Sequence, residues 1–307
     1  MTSINTNPGA LIALQNLTRI TDRLEETQRR VSTGLQISSA KDNPTLYTLA
    51  QQQRGQVASI ESVQQGLRVG VSTVDVAIAA GESISDVLVE MRAVAAKAAD
   101  SSLSDADRTA LGLQYVSLRE QLTRLVDSAK IGGRNLLASG AADLVVTASD
   151  TGSSTITVKA QDLSVGGANV TVSSSSTPFA AVADDPLTIG VDESMTGAEA
   201  AAAQVSAIDA SLANVSRALS ALGSGADSLD LQEKILNRVS DALELSIGNL
   251  VDADLPRESS RLQALQVQQQ LAIQVLSIAN AAPNSILALF ARRAARPGGG
   301  EVLNGCR

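Results

Sequence analysis

Between Ile208 and Leu250 the chain reads IDASLANVSRALSALGSGADSLDLQEKILNRVSDALELSIGNL, with Ile208, Val215, Leu222, Leu229, Leu236, Leu243 and Leu250 at a constant spacing of seven. A heptad period keeps an apolar stripe on one face of an α-helix, the pattern of helices that pack along their length. The register passes unbroken through Gly223-Ser224-Gly225, although glycine inside a helix costs roughly 1 kcal/mol relative to alanine. Thr196-Gly197-Ala198-Glu199 opens the segment with the spacing of a capping box. So long a helix with one narrow stripe needs an equally long partner.

The partner lies upstream. Ile60, Leu67, Val74 and Leu88 fall on the same seven-residue grid, with Gly81 at the one gap. Asp42-Asn43-Pro44 marks the start of this helix, Asn43 as N-cap and Pro44 at its first position. A helix from Thr45 to about Ala99 is roughly 80 Å long at ~1.5 Å per residue. Ser104-Asp105-Ala106-Asp107 restarts the helix, Leu111, Tyr115, Leu118, Leu122 and Leu125 give it an apolar face, and Gly132-Gly133 stops it. Nearer the start, Leu17, Ile20, Leu24, Val31 and Leu35 share one helical face. Asp254-Leu255-Pro256 begins a last helix with Leu262, Leu265, Ala272, Leu276 and Ala279 on one face, ended or kinked by Pro283.

The middle changes period. Leu144–Ala148, Thr155–Lys159, Asn169–Ser173 and Leu187–Val191 alternate apolar and polar residues or come close to it, with Gly166-Gly167 and Ser173–Ser176 as turns. The expected fold is therefore mainly α. It is a long antiparallel, coiled-coil-like helical rod formed by N- and C-terminal arms, with a small β-rich domain inserted at the tip. The expected divisions are an N-terminal inner helix (1–43), an N-terminal arm (44–140) and an outer β domain (141–195). A C-terminal arm (196–253), a C-terminal inner helix (254–290) and a basic, Gly-rich tail (291–307) follow.

Composition narrows the chemistry. The chain has 307 residues, 44% of them hydrophobic but only 1% aromatic, so its core is Leu, Ile, Val and Ala, as side-by-side helices require. It contains no His, which removes the commonest general base and metal ligand. The single Cys, Cys306, permits no intrachain disulfide. No GxSxG elbow or EF-hand-like loop is present, so no catalytic residue, cofactor or metal is expected. A net charge of −8 argues against nucleic acid as a partner. The N-terminus lacks the basic and apolar regions of a secretory signal, and no apolar run is long enough to cross a membrane.

The two end helices are the informative part. Each carries one thin stripe, and burial of one against the other is too little to offset the backbone entropy of ordering both. They are expected to be poorly ordered in a single copy and to order only against other copies of the chain, through Leu17, Ile20, Leu24, Val31 and Leu35 and through Leu262, Leu265, Ala272, Leu276 and Ala279. The alternative is that they fold back on the rod of the same chain. Glu25-Glu26 with Arg29-Arg30 has i, i+4 spacing. The same charges suit either pairing within the helix or register between copies.

Several stretches carry a resemblance. Met1-Thr2-Ser3-Ile4-Asn5-Thr6-Asn7, Ala13-Leu14-Gln15-Asn16-Leu17, the run from Arg30 to Pro44, Ile131-Gly132-Gly133-Arg134-Asn135-Leu136-Leu137, Ala279-Asn280 and Ser285–Phe290 resemble the two ends of bacterial flagellins. The resemblance implies a structural subunit that polymerises into the flagellar filament and serves swimming motility. Its terminal helices would line the lumen, its helical arms form the shell, and its β segment face outward. It further implies export unfolded through the flagellar export apparatus with an export chaperone, assembly under a filament cap beside hook-junction proteins, and an extracellular location. A hook–filament junction protein is the alternative, disfavoured by the ending around Ala279 and Ser285-Ile286-Leu287. A coiled-coil scaffold or chemoreceptor-like protein fits less well, because neither has a β insertion. Both rivals predict no growth of long filaments from purified subunit.

The family's recognition site for an innate immune receptor maps to Val89, Glu90, Val94 and Gln114. The receptor-activating pattern there is Gln, Arg, Leu and Glu. Glu90 reverses a charge and Gln114 removes one, so the resemblance with these departures implies weak receptor binding. The tail from Ala291 to Arg307 runs past the family's usual end and is read as a flexible extension with Cys306 a free thiol. The Asn-X-Ser/Thr tripeptides at Asn16, Asn169 and Asn214 are read as chance matches, with Ser173–Thr177 a better candidate for O-linked sugar.

Overall fold

The computed structural model describes residues 7–179 and 196–294, with side chains as far as Ala281 in the last helix. Among these residues five helices and one hairpin form, in the order α1 (Pro8–Thr33), α2 (Pro44–Ala98), α3 (Asp105–Ser128), β1 (Leu144–Thr147), β2 (Thr155–Val158), α4 (Gly197–Val251) and α5 (Leu255–Ala294).

Side chains at the helix starts take up backbone N–H groups left without partners in the first turn. Asn43 Oδ1 accepts from the amides of Thr45 and Leu46, both at 3.1 Å. The Ser104 hydroxyl accepts from the Asp107 amide. Thr196 and Glu199 close a reciprocal box, Glu199 Oε2 accepting from the Thr196 amide at 2.8 Å while the Glu199 amide donates to the Thr196 hydroxyl. Asp254 caps α5 through the Arg257 amide. Pro283 does not end α5, which continues to Ala294, because a proline deletes one helical hydrogen bond without preventing the turns beyond it from forming. Helix α3 stops at Ser128, before Gly132-Gly133, whose positive φ angles of 56° and 81° instead shape a turn between Ile131 and Arg134.

The chain divides into two compact units, residues 1–54 with 244–307 and residues 55–243. In the second unit, α2 and α4 run antiparallel. Gln64 donates to Asn237, Arg68 pairs with Glu233 and Arg92 with Asp209, so the number on α4 falls as that on α2 rises. The heptad positions form the core between them: Ile60, Leu67, Val74 and Leu88 meet Ile208, Val215, Leu222, Leu229 and Leu236, all nearly inaccessible to solvent. At the gap in the grid, a Cβ on Gly81 would stand 2.7 Å from a Leu219 methyl, so the missing side chain is what lets α4 approach. Tyr115, Leu122 and Val126 bring α3 onto the same core.

The β segment departs from expectation in size and place. Among the described residues two strands form, where three of the expected segments fall, and they pair antiparallel from Leu144↔Val158 to Thr147↔Thr155. Asn169–Ser173 makes no strand: Val170 and Val172 enter the helical core while the Thr171 amide donates to Ser211 on α4 at 2.9 Å. Leu187–Val191 lies outside the described residues. The hairpin does not sit at the end of the helices with a core of its own. Leu144, Val146 and Val158 join the main core, against Gly70 and Gly225, partway along α2 and α4. A two-stranded hairpin is too small to be stable alone, so it borrows the helices' apolar surface.

Candidate assembly surface

The first unit holds both ends of the chain. Asn7, a cap the sequence reading passed over, accepts from the Ala10 amide at 3.2 Å and donates its own amide across to the Ala279 carbonyl at 2.7 Å. Helix α1 ends at Gly34, whose φ of 72° lets its N–H return to the Arg30 carbonyl. Beyond it the two connecting segments tie together: the Val251 carbonyl accepts from Gln36 at 2.7 Å, and Ala253 donates to the Gly34 carbonyl at 2.9 Å. Ile37, Ala50 and Val251 close a small cluster beneath this tie, with Leu35, Leu46, Tyr47, Ile247 and Leu250 around them.

Asp42 sets the connecting loop. Its Oδ2 accepts from the amides of Ser38 and Ser39, both at 3.0 Å, and from both hydroxyls. These bonds, the Ser39 amide foremost, hold its carboxyl below the ordinary value. A carboxylate depressed in the folded state stabilises fully above its unfolded value, near pH ~4, and loses that stabilisation as pH falls through the folded value. Acidification from about pH 5 to about pH 2 is therefore expected to loosen this loop. The protection of the Ser38 and Ser39 amides, their exchange rate relative to an unfolded chain at the same pH, should fall across that range in the natural chain and already be low at pH ~5 in Asp42→Asn.

Helices α1 and α5 pack on each other. Arg30 bridges them, 2.5 Å from Glu26 on its own helix and 3.6 Å from the buried Glu258 on α5. The residues of the two end stripes are partly covered in this unit. Leu17, Ile20, Leu24 and Val31 are half-buried, as are Leu262, Ala272, Leu276 and Ala279, while Leu265 is buried. Leu35 belongs to the cluster around Ile37. Ile20 and Ala272 also line an open groove beside the pair.

The surface left uncovered is another set. Leu11, Ile12 and Leu14 on α1, and Val267, Leu271, Ile273, Val275 and Ile278 on α5, remain 49–71% exposed. Val267, Leu271, Val275 and Ile278 are themselves spaced four, four and three, a second helical stripe legible in the sequence but hidden behind the first.

Of the four positions to which the resemblance assigns a receptor site, Val89, Glu90 and Gln114 are exposed, while Val94 is only 6% exposed and packs in the core of the second unit. Asn169 and Asn214 already donate their side-chain amides to backbone carbonyls. The Ser173–Thr177 loop is pinned by Arg119, which donates to the Ser173 and Ser175 carbonyls. Among the described residues no helix is long and apolar enough to cross a membrane. The tail, 295–307, lies outside them.

Comparison with known proteins places this geometry. The family profile of the bacterial flagellin N-terminal helical region matches residues 4–142, and that of the C-terminal helical region matches residues 205–290. The chain is 40% identical to flagellin FljO of Caulobacter vibrioides and 33% identical to a flagellin of Brucella melitensis, each alignment covering 94% of this chain and 99% of the relative. A Vibrio parahaemolyticus protein described as flagellar hook-associated shares the fold, with a TM-score of 0.54 at 18% identity over 69% of this chain and 100% of its own. The likeness in sequence runs to flagellins at nearly full length, so the junction-protein reading is not favoured. Two helical ends from one chain, paired and bearing a second uncovered apolar stripe, are what a polymer subunit needs, and the chain belongs to the bacterial flagellin family, the structural subunits of the flagellar filament.

Proposed function

We propose that polymerisation proceeds through the uncovered stripe on α1 and α5, with the seam residues holding the pair together beneath it. The observation that carries this reading is the exposure of Leu11, Ile12, Leu14, Val267, Leu271, Ile273, Val275 and Ile278 on two helices that share a single seam. Four of them, Val267, Leu271, Val275 and Ile278, share one face of α5, and an exposed apolar stripe of that kind marks an association site. Residues 1–43 and 254–290 would then form the inner layer of the filament, with the arms 44–140 and 196–253 outside them and 141–195 toward the solvent. The role is structural, without catalysis. The subunit would leave the cell unfolded through the flagellar export apparatus with its chaperone, and add beneath a cap at the growing end.

Seeded elongation tests the reading. Ile278→Asp with Val267→Asp is expected to slow growth on filament fragments by at least about a hundredfold, because two carboxylates would have to be buried at the contact. Leu17→Ala should instead lower the melting temperature of the first unit. Growth of the double variant at the natural rate would overturn the assignment.

The innate immune receptor is proposed as a weak partner. Glu90 presents a carboxylate where the activating pattern has a guanidinium, and Val94 is withdrawn into the core. Reporter cells are expected to respond at least about tenfold less to this chain than to a flagellin carrying the activating pattern.

A further inference from the structure

A groove of about 400 Å3 runs along one flank of the α1–α5 pair. Ala13, Ile20, Leu271 and Val275 give it an apolar floor, and Arg19 and Arg23 stand along it. No carboxylate lines it, although Asp22 stands between the two arginines in sequence, and Glu26 one turn on is held by Arg30 at 2.5 Å. The site suits a helix edge that presents an apolar side chain at one end and a carboxylate at the other.

The chain carries such an edge itself. At ~100° per residue, Leu14 and Glu25 lie within about 20° of each other on α1, and Glu25 points about 200° away from Arg23. Leu14 is 49% exposed, and Glu25 is exposed with no basic group within 4 Å among the described residues. Of the two i, i+4 pairs in Glu25-Glu26 and Arg29-Arg30, only Glu26–Arg30 closes. The lengths also match: Leu14 to Glu25 rises roughly 16 Å and Ala13 to Arg23 roughly 15 Å.

We propose that the Leu14–Glu25 edge of α1 from a second copy seats in this groove, parallel to its α1, with Leu14 over Ala13 and Val275 and Glu25 beside Arg23. The inference rests on the reading that the terminal helices carry assembly. Edge and groove lie on opposite sides of one helix, so the contact is heterologous and repeats from copy to copy instead of closing a dimer. Its apolar end supplies adhesion, and its charged end fixes the axial register.

Charge reversal in the full-length chain tests it. Arg23→Glu puts acid on both surfaces and Glu25→Arg puts base on both, so each variant alone is expected to yield at least about tenfold less sedimentable polymer than the natural chain. In an equimolar mixture the reversed edge of one variant meets the reversed groove of the other, and the two unchanged surfaces meet each other. Complementary contacts return when the variants alternate, so the mixture should polymerise to within about threefold of the natural yield. Normal polymerisation by either variant alone overturns the proposal, as does a mixture that stays defective while both variants keep natural helicity. Should a reversal disturb folding, Arg23→Gln and Glu25→Gln decide: each should lower the yield severalfold, and no loss from either overturns the contact. Failure of the natural chain to polymerise would instead reject the assembly reading beneath it.

Discussion

Arg108→Ala is expected to destabilise the unit formed by residues 55–243 by about 3 kcal/mol. Arg108 is only 7% exposed, yet it is the cation that finishes α2: its Nε donates to the Ala98 carbonyl at 3.0 Å and its Nη2 to the Asp100 carbonyl at 2.9 Å. A cation there also meets the negative end of the helix dipole. Removing it leaves the Ala98 carbonyl without this donor, the Asp100 carbonyl keeping only the Leu103 amide at 3.2 Å, and opens a void beneath Gly197, whose Cβ position lies 2.8 Å from the Arg108 stem. The ion pair to Asp105 contributes little, because that carboxylate is fully exposed. Met restores the stem without the donors and Lys restores one donor without the fork. Chemical denaturation should therefore rank the chains natural, Lys, Met, Ala, and equal stability of Met and the natural chain would refute the hydrogen-bonding account.

Gly225→Leu is expected to cost about 3 kcal/mol in the same unit, although a leucine there raises helix propensity. A Cβ at Gly225 would stand 2.7 and 2.9 Å from the two methyls of Val158 and 3.3 Å from its Cβ. A β-branched side chain on a paired strand has no rotamer into which to retreat, so β2 must lift away and take Leu144 and Val146 out of the core. Gly223→Leu is the control. A Cβ there meets nothing within 4 Å, so this variant should match or exceed natural stability. Equal melting temperatures for the two variants would show that the hairpin is not clamped at Gly225.

These two positions mark where the sequence was readable and where it was not. The heptad positions from Ile60 to Leu88 and from Ile208 to Leu236 line the core as their spacing required, because a helix converts residue number into direction without knowledge of its partner. Asn43, Ser104, Thr196 and Asp254 cap the helices the sequence starts at them, since capping is decided within four residues. The glycines stood out only as tolerated flaws. That Gly225 exists for Val158 is a contact across 67 positions of sequence, and no local period reports it. The hairpin's place followed the same rule: alternation announced strands, but not that their apolar side would land partway along α2 and α4. Arg108 drew no notice, being one arginine beside two aspartates in a surface-like helix start. At α1 and α5 the period found one apolar stripe on each helix, whose residues are half-buried or buried where the two helices pair. The exposed stripe from Val267 to Ile278 on α5 lies beside it, and a single period does not separate the two.

The seam between α1 and α5 also has a history in time. Asn7 and the Ala279 carbonyl it reaches are separated by 272 positions, so the first helix has nothing to pair with until almost the last has formed. Closing so long a span is slow in comparison with the local turns of α2, α3 and α4. Until then the two ends stay loose while the helices between them can already have condensed, and the apolar surface proposed for assembly is complete only in a finished subunit. Late closure is thus a safeguard against premature clumping, built from nothing more than the order in which the residues are strung.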